Sequence, residues 1–202
     1  MPKKSGFFML IDCGANVDCR PEMLQQFGVM GSIYMEKVMN IEKPRVALAN
    51  IGTEEHKGGE LQHGAFELLK ESPVNFVGNI EARDISNDGA DVVVSDGFTG
   101  NIILKMFEGV AIMLMGKFKE ILTKSSKNKL AAGILMKDIV ALKKSMDYNE
   151  YGGAPIMGAA KPVFKVHGSA RAKTVESALR LTKAYVAGNV IDEISRSVSE
   201  LS

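Results

Sequence analysis

The feature that most constrains this chain is an alternation of short, nearly continuous apolar runs with longer helical patterns. The runs are FFMLID (7–12), PRVALANIG (44–52), NFVGNIEA (75–82), DVVVSDG (91–97) and PVFKVHG (162–168). Strands apolar on both sides need cover on both faces, which predicts a mainly parallel sheet between helical layers. Helices are expected at about 21–39, 59–71, 100–123, 129–146 and 170–198, with Pro21 in a first helical turn and Ser72-Pro73 as a stop. The predicted fold class is therefore α/β, a three-layer α/β/α sandwich. No internal repeat, low-complexity segment or linker divides 1–202, so a single domain is expected, with 105–146 as a protruding helical hairpin.

Each run ends in Gly, Asn, Asp and Ser: DCGANVD, NIGTEEHKGGE, GNIEARD, SDGFTGN and HGSAR. Open parallel sheets bind ligands at the carboxyl ends of their strands, so five such endings are expected to converge on one rim. In DGFTGNIILK (96–105), Gly97 and Gly100 let backbone amides approach a ligand, Thr99 or Asn101 suits a helix cap, and Lys105 lies about one turn past Asn101. The pattern fits anion binding, and equally a capped turn with no ligand. It is neither a Walker loop nor G-x-G-x-x-G.

In DCGANVDCRPE (12–22), Gly14 and Asn16 suit unusual backbone angles, Asp18 suits the cap of the helix near Pro21, and Asp12 and Asn16 put polar groups at the strand tip. NIGTEEHKGGE (50–60) reads either as a solvated loop or as a substrate loop with His56 or Lys57 near a phosphate. His56 and His63 have no third partner, and no metal site is expected. His167, followed by Gly168 and Ser169, is either a structural or a functional histidine. No G-x-S-x-G elbow is present.

Bulk properties narrow the classes. A 46% apolar, 24% charged chain with a formal charge of +1 is that of a globular domain and argues against nucleic-acid binding through general basicity. Cys13 and Cys19 form no C-x-x-C pair and are expected to be reduced thiols of a cytosolic protein. Five apolar residues before Asp12 are too few for a signal-peptide core of roughly 7–15, and no segment shows the ~18 apolar residues of a membrane span.

Within 129–146, Ala131, Leu135, Ile139, Leu142 and Met146 form a stripe, while Leu130, Ile134 and Met136 make the first turns apolar almost all round. Lys117, Lys119, Lys124, Lys127, Lys129, Lys137, Lys143 and Lys144 lie on or beside this stretch. Core or dimer packing is one reading. Shallow contact with an anionic membrane is the other.

GANVDCRPEMLQQFGVMGSIY, KPRVALANIGTEEHKGGE, NFVGNIEARD, VVVSDGFTGNIILK and YGGAPIMG...VFKVHGS resemble, in order, segments of the bacterial phosphate acyltransferase (PlsX) family of phospholipid synthesis. The resemblance runs from about Phe8 to the C-terminus, and GFTGNIILK is also similar to phosphotransacetylases. It implies transfer of a fatty acyl group from acyl carrier protein to inorganic phosphate, giving an acyl phosphate that a glycerol-3-phosphate acyltransferase uses downstream. It further implies a homodimer in the cytoplasm with peripheral membrane contact, through the hairpin residues Leu130, Ala131, Ile134 and Leu135, and no cofactor.

The family's glycine-rich DAMGGD-like N-terminal segment has no counterpart here, so the chain is expected to be a C-terminal portion. Phosphate can attack a thioester directly and a thiolate leaves readily, so the site must supply proximity, charge neutralisation and oxyanion donors. Asn16, Asn101, Lys105 and His167 are the catalytic candidates. Gly14, Asp18, Lys57, Asn79, Asp96, Gly97, Thr99, Gly100 and Ser169 are the substrate-binding ones. The alternatives are a non-catalytic fragment that dimerises or binds membrane, and a phosphotransacetylase-like enzyme using acyl-coenzyme A.

Overall fold

The computed structural model describes residues 1–145, 153–166, 168 and 170–201, with the side chains of 143–145 outside the description. A small antiparallel hairpin, β1 (Pro2–Lys3) and β2 (Gly6–Phe7), leads into β3 (Met9–Ile11). Then come α1 (Pro21–Lys37), β4 (Arg45–Asn50), α2 (Glu60–Glu71), β5 (Asn75–Glu81) and β6 (Val92–Val94). The four strands β3, β6, β4 and β5 pair side by side in that order, and every pairing is parallel.

The strand period of two explains the layers. Val46, Leu48, Val92 and Val94 point into one core with Leu24, Phe27 and Leu69, under α1 and α2. The intervening Ala47, Ala49 and Val93 point to the other side, with Phe8, Leu10, Ile80 and Ile85. Ile103 and Leu104 of α3 (Gly97–Thr123) pack on that second face, which completes an α/β/α sandwich.

After α3 the chain forms α4 (Ser126–Ile134), α5 (Met136–Ser145), β7 (Ala154–Pro155), β8 (Phe164–Lys165), α6 (Ala172–Ala187) and α7 (Val190–Ser199). The expected fifth sheet strand at 162–168 is a correction: among its described residues the strand is Phe164–Lys165, and it pairs antiparallel with β7 in a separate hairpin. Phe164 meets Tyr185 edge-on at 5.6 Å, and Tyr185 lies 6.2 Å from Tyr34, so aromatic contacts fix this hairpin against α6 and α1. Among the described residues, four strand ends share the rim.

Two expected helices are also divided. The pattern at 129–146 is split at Leu135 into α4 and α5, and Met146 lies outside the described residues. The 170–198 pattern breaks at Gly188-Asn189, where Asn189 takes φ +51° in the left-handed region. A kink there lets Val190 and Ile194 of α7 join the core that α6 reaches through Tyr185.

At the amino ends of the strands, Asp91 accepts hydrogen bonds from Lys3 Nζ (2.7 Å) and from Arg45 Nε (3.0 Å). Burial opposes ionisation of Asp91, but these bonds prevail and hold its carboxyl well below the usual range.

Candidate functional site

At the tips of β3 and β6 one carboxylate folds the loop after β3, and one serine ties the two strands. Asp12, buried at the end of β3, accepts at Oδ1 from the Gly14 and Ala15 amides, both at 3.0 Å. Its Oδ2 accepts from the Asn16 amide at 2.6 Å and from Asn16 Nδ2 at 3.0 Å. Burial pushes the Asp12 pKa up, yet the bonds from Ala15, Asn16 and Gly14 together outweigh it and lower the pKa. Ser95 then ties the two strands: its amide donates to the Ile11 carbonyl (2.8 Å) and its hydroxyl to the Asp12 carbonyl (3.2 Å).

Helix α3 starts on this platform. Asp96 caps it, accepting the Thr99 amide at 2.8 Å and the Thr99 hydroxyl at 2.7 Å. The expected cap at Thr99 or Asn101 is thus corrected to Asp96, which places the helix start at Gly97. Asp18 does not cap α1, whose N-cap is Arg20 without a side-chain bond; Asp18 itself is exposed.

The glycines serve close approach of the protein to itself. A Cβ on Gly97 would lie 2.5 Å from the Asn16 carbonyl oxygen, and one on Gly100 would collide with the Asp12 carbonyl oxygen. The amides expected to face a ligand are occupied: Gly14 N–H by Asp12, Gly97 N–H by the Asn16 carbonyl (2.8 Å) and Gly100 N–H by the Asp96 carbonyl (2.9 Å). The reason is geometric, because the loop needs those donors to stay folded against α3. The side chains presented around this unit are Asn101, exposed and 3.6 Å from a Cβ position at Gly14, and Lys105, which pairs with Glu108 at 2.9 Å.

The tips of β4 and β5 form a second unit. The β4–β5 register shifts between Val46 and Leu48, and Gly78 at φ +94° supplies the backbone angle of that bulge. Just beyond it, Asn79 donates to the Glu54 carbonyl at 2.8 Å, and Asn50 donates to the Lys57 carbonyl at 3.0 Å. His63 Nε2 meets the His56 carbonyl at 2.8 Å, so the 50–60 loop is held from three sides. Lys57 Nζ lies 3.9 Å from Glu54, at partial exposure. Asn79 Oδ1 is buried without a hydrogen-bond partner among the described residues.

His167 and Ser169 lie outside the described residues. Leu130, Ala131, Ile134 and Leu135 are all exposed, on α4 and at its C-terminal end, far along the chain from the rim. Helix α3 corrects one expectation: Gly97–Thr123 is long and apolar enough to cross a membrane by length and composition, with 6% of its apolar window buried. Its apolar residues are spaced by glycines and sparse charges, so no unbroken run reveals them. Among the described residues, no group of three or more His, Cys, Asp or Glu is placed to hold a metal ion.

Sequence reasoning missed the governing role of Asp12. The signal was present, since an Asp followed two residues on by Gly and four on by Asn is a turn-forming arrangement.

A four-stranded parallel sheet with helices on both faces and a capped, glycine-seated helix start at its carboxyl rim defines an open-sheet α/β protein. Residues 1–193 match the family model described as fatty acid synthesis protein, and the chain belongs to that family. It is 50% identical over 194 residues to a phosphate acyltransferase of Oceanobacillus iheyensis, covering 96% of this chain and 58% of that protein. Over 193 residues it is 49% identical to the phosphate acyltransferase of a Geobacillus species, covering 96% and 59% respectively. With that of Bacillus cereus the identity is 52% over 188 residues, covering 93% and 57%. The chain thus spans less than two thirds of the length of these curated relatives.

Proposed function

We propose that this protein carries the phosphate side of a phosphate acyltransferase reaction, in which a fatty acyl group passes from acyl carrier protein to inorganic phosphate. A phosphate oxygen attacks the thioester carbonyl carbon, the carbonyl becomes a tetrahedral oxyanion, and the C–S bond breaks to release the carrier thiolate and an acyl phosphate. The observation that carries the reading is the β3–β6 unit: Asp12 and Ser95 hold it, and the α3 turns that start on it carry Asn101 and, one turn further on, Lys105. The Lys105 ammonium favours a dianion there and Asn101 Nδ2 supplies a neutral donor, whereas the Thr99 and Gly97 amides in the first turn of α3 are taken by Asp96 and the Asn16 carbonyl. Names of relatives at about half identity support the same chemistry.

The finer partners follow from this reading. Acyl carrier protein is acidic and fits the lysines of 117–137. A homodimer and peripheral contact with an anionic membrane fit the exposed apolar residues of α3 and α4, and the protein works in the cytoplasm at the membrane surface, feeding a glycerol-3-phosphate acyltransferase. The exposure of Phe98, Met106 and Phe118 on α3 favours a second reading, a non-catalytic portion retaining only dimer or membrane contacts.

Purified 202-residue protein incubated with acyl-acyl carrier protein and phosphate separates the two. Acyl phosphate trapped as a hydroxamate supports transfer, whereas lipid binding without turnover supports the fragment. Replacing the carrier thioester by acyl-coenzyme A in the same assay tests for the phosphotransacetylase-like enzyme.

A further inference from the structure

We infer that the apolar cavity on the outer side of β3 holds the alkyl tail of the thioester substrate; the inference rests on the acyl-transfer reading above. The cavity encloses about 390 Å³, within the ~300–1,000 Å³ usual for small-molecule sites. Phe8, Leu10, Tyr34, Met35, Leu104 and Leu181 are among the apolar residues of its wall. A ligand rich in donors and acceptors would lose hydrogen bonds to water here without replacement, whereas an alkyl chain asks for none. Methionine walls adapt to a flexible chain more readily than branched side chains do.

Two further observations select an acyl tail over other apolar occupants. The cavity shares Lys105 with the candidate site, and two more of its lining residues neighbour that site in the chain: Cys13 follows Asp12, and Leu104 lies one helical turn past Asn101. A chain seated there has its carbonyl end at the rim where phosphate is proposed to bind. The polar lining also suits this occupant. Burial pushes the Cys13 thiol up to about 11 and the Tyr34 phenol up to about 12, so both stay neutral. Lys105, bonded to Glu108, and Lys165 add N–H donors from which a thioester carbonyl oxygen can accept.

The test uses the 202-residue protein titrated with dansyl-undecanoate, a fluorescent fatty acid. Saturable binding is expected. Leu181→Trp, which fills the cavity, and Ala154→Trp, at an exposed strand position on its lining, each weaken binding more than about tenfold by displacing several methylenes. Circular dichroism confirms that each variant is folded, and Ile112→Glu on the outer face of α3 leaves binding unchanged. Absence of saturable binding overturns the inference, as does equal affinity in both filled variants or loss of binding in Ile112→Glu alone.

The thioester assay separates this inference from the reading beneath it. If the filled variants lose the probe while wild type makes no acyl phosphate, the cavity stands and the reaction does not. If acyl phosphate forms with unchanged chain-length preference in Leu181→Trp, the cavity is wrong and the reaction stands.

Discussion

Helices α1 and α3 both start at the carboxyl rim of the sheet and both are rich in apolar residues, yet α1 is sunk in the core and α3 is mostly exposed. Glycine placement accounts for much of the difference. A Cβ on Gly28 would lie 2.5 Å from Leu69 Cδ2, and one on Gly31 would lie 2.6 Å from Val92 Cγ1. Those two positions, three apart on one face, let α1 settle directly onto α2 and β6. On α3, by contrast, Gly109 and Gly116 have nothing within 4 Å of a Cβ position, and Ile112 is 74% exposed. Apolar composition alone therefore does not determine burial. Where glycines have no neighbour to admit, an apolar helix keeps a face for something beyond these residues.

The sharpest way to break this comparison is to overfill α1. Gly31→Val is expected to cost roughly 1–3 kcal/mol or more, because neither the helix backbone nor the β6 valine can retreat within a packed core. Urea denaturation should show a clearly lowered midpoint. Gly116→Val on α3 should change it far less, and equal losses would mean that the two helices are not different in kind.

Next in size is Asp12→Asn, which removes a charged acceptor of four hydrogen bonds and is expected to cost about 1–3 kcal/mol. Its pH dependence has a definite sign. Asp12 has a lowered folded pKa, so its stabilisation is present above the unfolded carboxylate value of ~3.9 and fades as pH falls through the folded pKa. Stability measured from about pH 5 downward should therefore fall less steeply in the variant. Asp91, at the opposite rim, titrates with the same sign, as does its neighbour Asp88, so part of the slope remains in the variant.

Smaller effects test α3 itself. Gly116→Ala should stabilise the protein by about 0.5–1 kcal/mol, since the position is helical and open. Met113→Glu should leave unfolding within ~0.5 kcal/mol. The same variant should lower the molar mass seen by light scattering if the α3 face joins two copies. A destabilised monomer with unchanged mass would place Met113 in the protein's own core.

The parallel sheet was legible because its strands are apolar on both sides, and Pro21 marked the start of α1. The 162–168 run was misread for a physical reason: Pro162 has no amide N–H to donate to a ladder, Lys165 is exposed, and Phe164 is partly buried against Tyr185 rather than against the main sheet. At the site, the segments were legible and the roles were not. Gly97 and Gly100 looked like ligand contacts, yet their freedom is spent on the Asn16 and Asp12 carbonyls, a relation between segments about eighty residues apart that no local spacing encodes. The cavity beside β3 was invisible for the same reason, since β2, β3, α1, α3 and α6 each contribute part of its wall.

The most direct test of the proposed phosphate site is a calorimetric titration of the protein with inorganic phosphate, repeated on Asn101→Ala and Lys105→Ala. Loss of a charge-assisted contact of ~1.5–3 kcal/mol predicts affinity about ten- to a hundredfold weaker in Lys105→Ala, with a smaller loss in Asn101→Ala. Phosphate binding of equal strength in all three proteins would contradict the assignment of the β3–β6 rim as the place where the nucleophile is held.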